Sequence, residues 1–361
     1  MSFSNLVALV LAIITSKLTS ATPVTDGSFT FYDMPTPLSG PCDLATGPDG
    51  ALWVQNILVD TIVRIDPVSG QVSEYNIPYT IPGTQNPAIL PALTNGRTAL
   101  ACVIRAGNDG NLYAASGLRN QFLRINPSTR KIDVFTPPDY NPLGDLQPFN
   151  DLTPGPTGMY FSQTTANLIS HFDYVTEDIT SFAVPTPLAA PLGMVFFRGY
   201  LWYAELLGNK IARFDPVTNR TQEYPLPLSL LGPAVVRATF SDPDRVCFTA
   251  FLGGANGCIG ADTGKIDVYP NTGLAPALSL PAENTRDLRY NDIVYYSTAS
   301  QNYINILNLT SGSISKVTEP GTVLAEPISL PFYFDIGMNY GPGNAVWFTE
   351  ATTNRVGRYQ V

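Results

Sequence analysis

The chain has 361 residues, of which only 14% are charged, against roughly 25% in an average soluble protein. Proline and glycine number 32 and 29, and aromatic residues make up 11%, more than disordered chains carry. The formal net charge is −9 with no block of lysine or arginine, so we expect neither nucleic acid nor an anionic membrane surface as a partner. A single histidine, His171, excludes chemistry that needs a histidine pair.

Residues 1–21 have the features of a signal peptide. Leu6 to Ile14 reads LVALVLAII, which is too short for a bilayer span of about 20 residues but fits a signal core. Small residues up to Ala21 provide a cleavage site. We therefore expect a secreted protein, without membrane association after signal removal, whose residues 22–361 form one domain. Its four cysteines can then form two disulfides in any of three pairings.

A repeat of about 49 residues fills the rest of the chain. Residues 47–75 read GPDGALWVQNILVDTIVRIDPVSGQVSEY, and residues 107–135 read GNDGNLYAASGLRNQFLRINPSTRKIDVF. Each copy has a glycine-rich turn, an apolar strand, a second strand ending near Asp-Pro, and a third strand. One anchor residue per copy marks the first of these strands: Trp53, Tyr113, Tyr160, Trp202, Cys247, Tyr295 and Trp347. The period is that of a four-stranded propeller blade.

The fourth strand of each blade comes from the apolar stretch that precedes the glycine-rich turn. The seventh copy stops at Val361 and lacks its outermost strand, and residues 28–35, SFTFYDMP, resemble the missing one. The sequence therefore predicts an all-β, seven-bladed β-propeller that is closed by its N-terminal strand and has no open sheet edge.

The same alignment predicts the disulfides. Cys42 and Cys102 each lie eight residues before a turn glycine, on neighbouring inner strands, whereas Cys247 and Cys258 lie on paired strands of the fifth blade. We therefore predict the pairs Cys42–Cys102 and Cys247–Cys258. Asn219 and Asn308 begin Asn-x-Thr acceptor sequences for glycosylation, in turns of the lower face.

Long segments between blades are expected on the opposite, upper face. They hold few charges and many Pro, Leu and Ala residues, over 76–100, 136–150, 185–192, 225–235, 271–286 and 319–334. Exposed apolar loops reduce solubility unless they cover something. They form either a lid on the ring or an apolar funnel for a small molecule, and stiff proline-rich loops favour the funnel.

One position per blade is predicted at the mouth of the central channel. The alignment puts there Asp43, Val103, Asp151, Gly193, Arg237, Asp287 and Gly337. The three carboxylates and the guanidinium can serve as acid, base and oxyanion clamp, so Arg237, Asp43, Asp151 and Asp287 are the candidate catalytic residues. The carboxylates can also bind Ca²⁺ or Mg²⁺, or simply cap loop amides.

The repeats resemble one known family. The forms Gly-Pro-Asp-Gly-x-Leu-Trp, Trp-Phe-Thr-Glu and Asn-x-Ile-x-Arg-x-Asp-Pro are similar to those of the streptogramin B lyase group of propellers. That resemblance implies catalysis by histidines and a glutamate-bound Mg²⁺. Here Glu350 precedes Ala351 and Glu205 precedes Leu206, with no histidine nearby, while His171 aligns with the repeated strand arginines. We therefore expect His171 to be a structural substitute for those arginines.

At whole-chain level the sequence also resembles fungal propellers of secondary metabolism that include hetero-Diels–Alderases. Those join a tropolone quinone methide to a humulene-type sesquiterpene, a reaction that needs no cofactor. This resemblance implies that Arg237 polarises the quinone methide oxygen, that one of the candidate aspartates assists loss of water, and that the substrates contact Trp53, Trp202, Tyr203, Glu205, Trp347 and Glu350. Two alternatives remain: a metal-assisted lyase or lactonase, and a non-catalytic secreted binder. Substrate identity and oligomeric state are not predicted.

Overall fold

The structure is a computed structural model that describes residues 24–26, 28–78, 101–116, 121–136 and 150–361. The predicted signal peptide and most of the first two inter-blade segments, 76–100 and 136–150, lie outside these residues. Within them, no helix is long and apolar enough to cross a bilayer.

The first four blades are four-stranded antiparallel sheets, each ordered from the channel outwards. Blade 1 consists of β3 (Pro41–Thr46), β4 (Leu52–Asn56), β5 (Thr61–Ile65) and β6 (Val72–Asn76). Blade 2 consists of β7 (Ile104–Ala106), β8 (Leu112–Ser116), β9 (Gln121–Ile125) and β10 (Ile132–Phe135). Blade 3 consists of β11 (Leu152–Pro154), β12 (Gly158–Gln163), β13 (Leu168–Asp173) and β14 (Ile179–Ala183). Blade 4 consists of β15 (Pro191–Phe197), β16 (Tyr200–Glu205), β17 (Lys210–Asp215) and β18 (Arg220–Pro225).

The remaining three blades complete the ring. Blade 5 consists of β19 (Pro233–Ser241), β20 (Asp244–Ala250), β21 (Ala255–Gly260) and β22 (Ile266–Pro270). A 3₁₀ turn, Pro276–Ser279, precedes blade 6, which consists of β23 (Pro281–Arg286), β24 (Ile293–Thr298), β25 (Gln301–Asn308) and β26 (Ile314–Thr318). Blade 7 consists of β27 (Asp335–Gly341), β28 (Ala345–Glu350), β29 (Arg355–Gln360) and two N-terminal strands, β2 (Phe29–Asp33) and β1 (Val24–Asp26).

The predicted ring closure is confirmed. Strand β2 pairs antiparallel with β29, with Phe29 opposite Tyr359 and Asp33 opposite Arg355. Strand β1 then adds a fifth strand outside β2, which the sequence did not predict. The N-terminal segment therefore joins the first and last parts of the chain in one sheet and covers the edge that β29 would expose.

The anchor residues of the repeat fasten neighbouring blades to each other. Seven buried apolar clusters occur among the described residues, and each combines one anchor with side chains of the next blade. Trp53 of blade 1, for example, packs with Ile104 and Leu112 of blade 2. A large aromatic side chain recurs because each blade presents a flat apolar face that only its neighbour can cover.

Both predicted disulfides are present. Cys42 is bonded to Cys102, which joins the inner edges of blades 1 and 2, and Cys247 is bonded to Cys258 across the β20–β21 pair. Two disulfides are consistent with an extracellular or secreted protein.

Candidate active site

A cavity of about 240 Å³ lies at the upper mouth of the central channel. Equivalent positions of the inner strands surround it, one from each contributing blade, and we call these the mouth ring. Those that line the cavity are Asp43, Asp151, Gly193, Val235, Glu283 and Gly337. The mouth of the channel therefore combines three carboxyl groups with three small or apolar positions.

A local irregularity of the inner strands positions this ring. Register shifts between the inner strand and its neighbour occur between Pro41 and Asp43 in blade 1 and between Pro281 and Asn284 in blade 6, with counterparts in blades 4, 5 and 7. Such irregularities re-aim side chains, and here they fall at or next to the ring position.

Two guanidinium groups lie among the three carboxylates at the base of the cavity. Arg105 forms an ion pair with Asp43, and its Nη2 lies 3.3 Å from Asp151 Oδ1 and 3.1 Å from Glu283 Oε2. Arg237 donates from Nη2 to Asp151 at 2.7 Å and from Nε to Glu283 at 3.1 Å. The five side chains, which come from blades 1, 2, 3, 5 and 6, form one buried network that we call the floor.

Backbone amides hold the floor carboxylates in place. Asp43 accepts hydrogen bonds from its neighbour Leu44 and from Ile104 of blade 2, at 2.8 and 3.0 Å. Asp151 accepts in the same way from Leu152 and from Met194 of blade 4, both at 2.8 Å. Each aspartate therefore joins its own blade to the next one while it binds an arginine.

The glycines of the ring allow the inner strands to come close together. A Cβ at Gly193 would lie 2.3 Å from Val235 Cα, and one at Gly337 would lie 2.5 Å from the Cys42 carbonyl oxygen. Any larger residue would push these blades apart and widen the channel at the level of the floor.

Burial changes the acidity of the floor. Loss of solvation raises the pKa of Glu283 to about 7, although Arg237 and Arg105 oppose this shift. Burial also raises the pKa of Asp43. The pKa of Arg237 is raised by the carboxylates, chiefly Asp151, which outweigh the opposing effect of burial. Near neutral pH the floor therefore holds two guanidinium ions beside a glutamate that is present in both its acid and its base forms.

Apolar side chains form the walls above the floor. They come from the inner strands and the upper loops of blades 4 to 7, together with the Cys102 disulfide: Leu192, Leu206, Ala234, Phe251, Ala282, Ala299, Phe334 and Ile336. The segments that the sequence predicted to form an apolar funnel thus supply Leu192, Ala234, Ala282 and Phe334. The site is an apolar cavity with a charged, hydrogen-bonded base.

Two of the predicted mouth residues occupy other positions. In blades 5 and 6 the mouth position belongs to Val235 and Glu283. Arg237 lies two residues further along β19, and Asp287 follows the end of β23 that is remote from the mouth. Asp287 binds Arg289 at 2.7 Å and Tyr295 at 2.9 Å, away from the floor. In blade 5 the alignment slipped because the spacing between mouth position and anchor is two residues longer than in blade 1. Blade 6 has the same two extra residues, but Asp287 lies four residues beyond Glu283, so the extra residues account for only half of that slip.

Glu283 and Arg105 were therefore missed, although the sequence holds a signal for Glu283. A proline begins the inner strand two residues before the mouth position in four blades, as in Pro41-Cys42-Asp43 and Pro281-Ala282-Glu283. Arg105 has no comparable signal, since it lies on the short strand β7, two residues beyond the mouth position of blade 2.

The aromatic residues predicted as cavity walls do not line the cavity. Trp53, Trp202 and Trp347 are fully buried between blades, and Tyr203 is packed in the cluster between blades 3 and 4. They also lie below the cavity, since the Trp53 indole donates to Asp49 at 2.9 Å and the Trp347 indole donates to the Pro342 carbonyl at 3.1 Å, both in lower-face turns. They do not reach this cavity because the second strand of a blade lies behind the inner one.

Glu205 and Glu350 end the second strands of their blades and are also buried away from the cavity. Glu350 forms an ion pair with Arg355, and burial raises the pKa of Glu205 to about 7. Neither carboxylate lines the cavity, so the structure does not support their assignment as substrate-binding residues.

His171 lies where the alignment placed it. It is opposite Tyr160 in the β12–β13 pair, as Arg64 is opposite Trp53 in blade 1. The ring centroids of His171 and Tyr160 are 4.6 Å apart, and burial lowers the pKa of the histidine. It is therefore a neutral packing residue remote from the floor.

A second acidic group is buried between blades 6 and 7. Glu319 and Asp335 lie beside Glu350, and their carboxyl groups interact with one another, whereas no N–H or hydroxyl group of the described residues donates to them. Burial raises the pKa of both groups, and the neighbouring carboxylates raise them further. Within the described part of the chain, no set of three or more histidine, cysteine or acidic side chains is arranged to hold a metal ion.

The comparisons with known proteins show the fold. The sequence matches no protein-family model and no curated protein. Among solved structures, virginiamycin B lyase from Staphylococcus aureus is 18% identical, with a TM-score of 0.73 over 92% of this chain and 99% of that one. A catalytically inactive form of that lyase with quinupristin gives a TM-score of 0.75 at the same identity and coverage. The RRP9 WD40 repeats are also similar, with a TM-score of 0.66 at 10% identity over 94% and 99% of the chains. This chain is a seven-bladed propeller like that of the streptogramin B lyases.

Proposed function

We propose that the protein is a cofactor-independent hetero-Diels–Alderase of fungal secondary metabolism. It joins a tropolone o-quinone methide to a humulene-type sesquiterpene inside the apolar cavity. The observation that carries this proposal is the pairing of apolar walls with Glu283 and Arg105 at the base. The streptogramin lyase-like fold is compatible with it but supplies no support for this particular chemistry.

A cycloaddition requires few catalytic groups. Two apolar partners must be held in contact away from water, which lowers the entropic cost of their encounter. A hydrogen-bond donor on the heterodiene oxygen lowers the barrier further. The walls meet the first requirement, and the acid form of Glu283, flanked by Arg105, meets the second.

The floor can also generate the reactive diene. A hydroxymethyl tropolone becomes a quinone methide when its C–O bond breaks and the ring hydroxyl loses its proton. Glu283 gives its proton to the departing hydroxyl, which leaves as water, and Asp43 accepts the ring proton, so that the floor as a whole keeps its protonation. Arg237 contacts Asp151 and Glu283 from below and acts as a positioning residue, rather than as the direct donor that the sequence indicated.

The similarity to lyase propellers favours a second candidate, a metal-assisted lyase or lactonase. The floor does not fit a Ca²⁺ or Mg²⁺ ion, because its carboxylate oxygens already accept hydrogen bonds from guanidinium and amide groups. We therefore derive no step through a metal. A third candidate, a secreted binder, would use the same cavity without turnover.

The secreted, glycosylated form is part of the proposal. The two disulfides agree with export through an oxidising pathway. In that pathway the signal peptide would be removed by cleavage after Ala21. Asn219 is exposed in the turn before β18, whereas the Asn308 side-chain nitrogen donates to Asp292 at 3.1 Å. Asn219 is accordingly the better glycan acceptor.

The decisive variants compare two buried glutamates. We expect Glu283→Gln to slow adduct formation from a hydroxymethyl tropolone and a hydroxylated humulene by 10²-fold or more, in the range known for loss of a general acid. Glu319→Gln is the matched control, because Glu319 is equally buried with a raised pKa but lies outside the cavity. Its rate should stay within about twofold of the unmodified protein. Equal rates for both variants would overturn the role of Glu283.

A further inference from the structure

The upper loops of blades 4 to 7 carry exposed large apolar side chains that do not line the cavity. We call them the crown, and its most exposed members are Leu188, Leu207, Leu228, Leu230, Leu274, Val323 and Leu330, with exposed fractions of 53–88%. They lie on five separate loops around the cavity mouth. Isolated exposed leucines are ordinary, but a group of them on neighbouring loops of one face marks an interaction surface.

The loops that form the crown carry almost no charge. Over residues 185–190, 206–209, 226–232, 271–280 and 320–334, the single charged side chain is Glu326, and it is paired with Lys316 at 2.7 Å. The lower face is different, since its exposed valines lie in turns that begin with aspartate, as Val68 follows Asp66 and Val175 follows Asp173. Apolar exposure without charge is therefore a property of one face.

The crown is continuous with the cavity walls. Leu206 lines the cavity while the next residue, Leu207, is exposed, and Leu330 lies in the same loop as the wall residue Phe334. The crown therefore borders the cavity on the side of blades 4 to 7. A partner that covers the crown thus lies beside the cavity mouth.

We propose that the crown docks the protein onto a zwitterionic lipid bilayer, with the cavity mouth facing the membrane. Separate protruding leucines insert among lipid headgroups without the shape complementarity that a protein partner requires. The absence of lysine and arginine from the described crown loops, with a net charge of −9, excludes attraction to anionic lipid. The sequence predicted no membrane association after signal removal, and its charge argument addressed anionic surfaces; the proposed docking differs from that prediction and uses neither a membrane-spanning segment nor anionic lipid. This inference is independent of the proposed reaction.

The experiment uses the purified protein with phosphatidylcholine vesicles. We expect the protein to sediment with the vesicles, and binding to fall at least tenfold in a Leu188→Asn, Leu230→Asn, Leu274→Asn triple variant. The matched control is Val68→Asn, Val175→Asn, Val217→Asn, which changes three residues of the lower face that are more exposed than the three leucines and should bind like the unmodified protein. In a Leu207→Trp variant, brominated phosphatidylcholine should quench more tryptophan fluorescence than in the unmodified protein, whose three tryptophans are buried.

Three results would overturn the proposal. One is the absence of sedimentation with phosphatidylcholine. Another is equal binding by the two triple variants, and the third is binding that depends on phosphatidylserine. A dimer in light scattering that only the crown variant dissociates, without vesicle binding, would instead assign the crown to contact between two copies of the chain.

Discussion

Glu283 of blade 6 and Arg105 of blade 2 meet at the channel mouth, with 3.1 Å between Oε2 and Nη2. They are 178 residues apart in the chain, and only closure of the ring brings them together. Arg237 contacts the same glutamate from blade 5, so the floor is both a stabilising network and the polar part of the candidate site.

Loss of Arg105 should destabilise the fold strongly. Arg105→Met leaves Asp43 without its guanidinium partner, while Asp151 and Glu283 keep only Arg237. Removing one partner of a buried ion pair costs about 3–5 kcal/mol of stability. Urea unfolding measures this change. Arg198→Met is the control, since its pair with Asp244 is exposed and should contribute less than about 1 kcal/mol. Similar losses in both variants would contradict the account of the floor.

The rate should depend on the protonation of Glu283. With a pKa of about 7, its acid form is complete well below pH 7 and disappears above it, so the rate should fall about tenfold per pH unit on the alkaline side. Rate profiles from pH 5 to 9 measure this limb. Glu283→Gln should be slower and should lack the limb, and a variant that retains the same alkaline limb would exclude Glu283 as the acid.

The acidic group between blades 6 and 7 should make the protein less stable as the pH rises. Burial raises the pKa of Glu319 above its ordinary value of 4.5, so above that pH the folded state holds a proton that the unfolded state releases. The free energy of unfolding should therefore decrease as pH rises above 4.5 towards the folded pKa. The size of this change in stability also depends on the groups that interact with the acidic group, namely Tyr333, Asp335, Glu350 and Arg355.

Glu319→Gln isolates that contribution, because the amide is neutral in both states. Urea unfolding at pH 5, 7 and 9 should show a smaller loss of stability in the variant than in the unmodified protein. Parallel pH curves for the two proteins would show that Glu319 is ionised throughout.

The two disulfides should differ in their effect on stability and on the site. Closing the 60-residue separation of Cys42 and Cys102 contributes about 4 kcal/mol by chain entropy, against about 3 kcal/mol for the 11-residue separation of Cys247 and Cys258. Paired Cys→Ser variants test this by urea unfolding. Only loss of the first pair should also slow turnover, since Cys42 adjoins Asp43 and Cys102 lines the cavity. Equal effects on turnover would contradict the positioning of Asp43 by this bond.

The blades were predictable because the same local pattern recurs in each repeat and each part of that pattern has a physical cause. A glycine-rich turn, an anchor such as Trp53 and an Asp-Pro turn are readable without knowledge of the ring, and the opposed pair Cys247 and Cys258 follows from strand register. The N-terminal strand was predictable for the same reason, as it completes the one blade that the repeat leaves unfinished.

The site was only partly predictable, because it depends on which residue of each inner strand reaches the channel. Asp43, Asp151 and Arg237 do come together, but the longer spacing between mouth position and anchor in blade 6 hid Glu283. The alignment chose Asp287 instead, which lies beyond the opposite end of β23. The tryptophans show a second limit, because the repeat gives neither the distance of a side chain from the channel axis nor the turns against which it packs.

The stereochemistry of the adduct tests the central claim most directly. A hydroxymethyl tropolone and a hydroxylated humulene are incubated with the purified protein, with and without EDTA, and the product is resolved on a chiral column. A cofactor-independent cycloaddition in a shaped cavity predicts faster formation of one stereoisomer, unchanged by EDTA. A background rate with mixed stereoisomers would contradict the account, and loss of activity in EDTA would favour a metal-assisted lyase or lactonase instead.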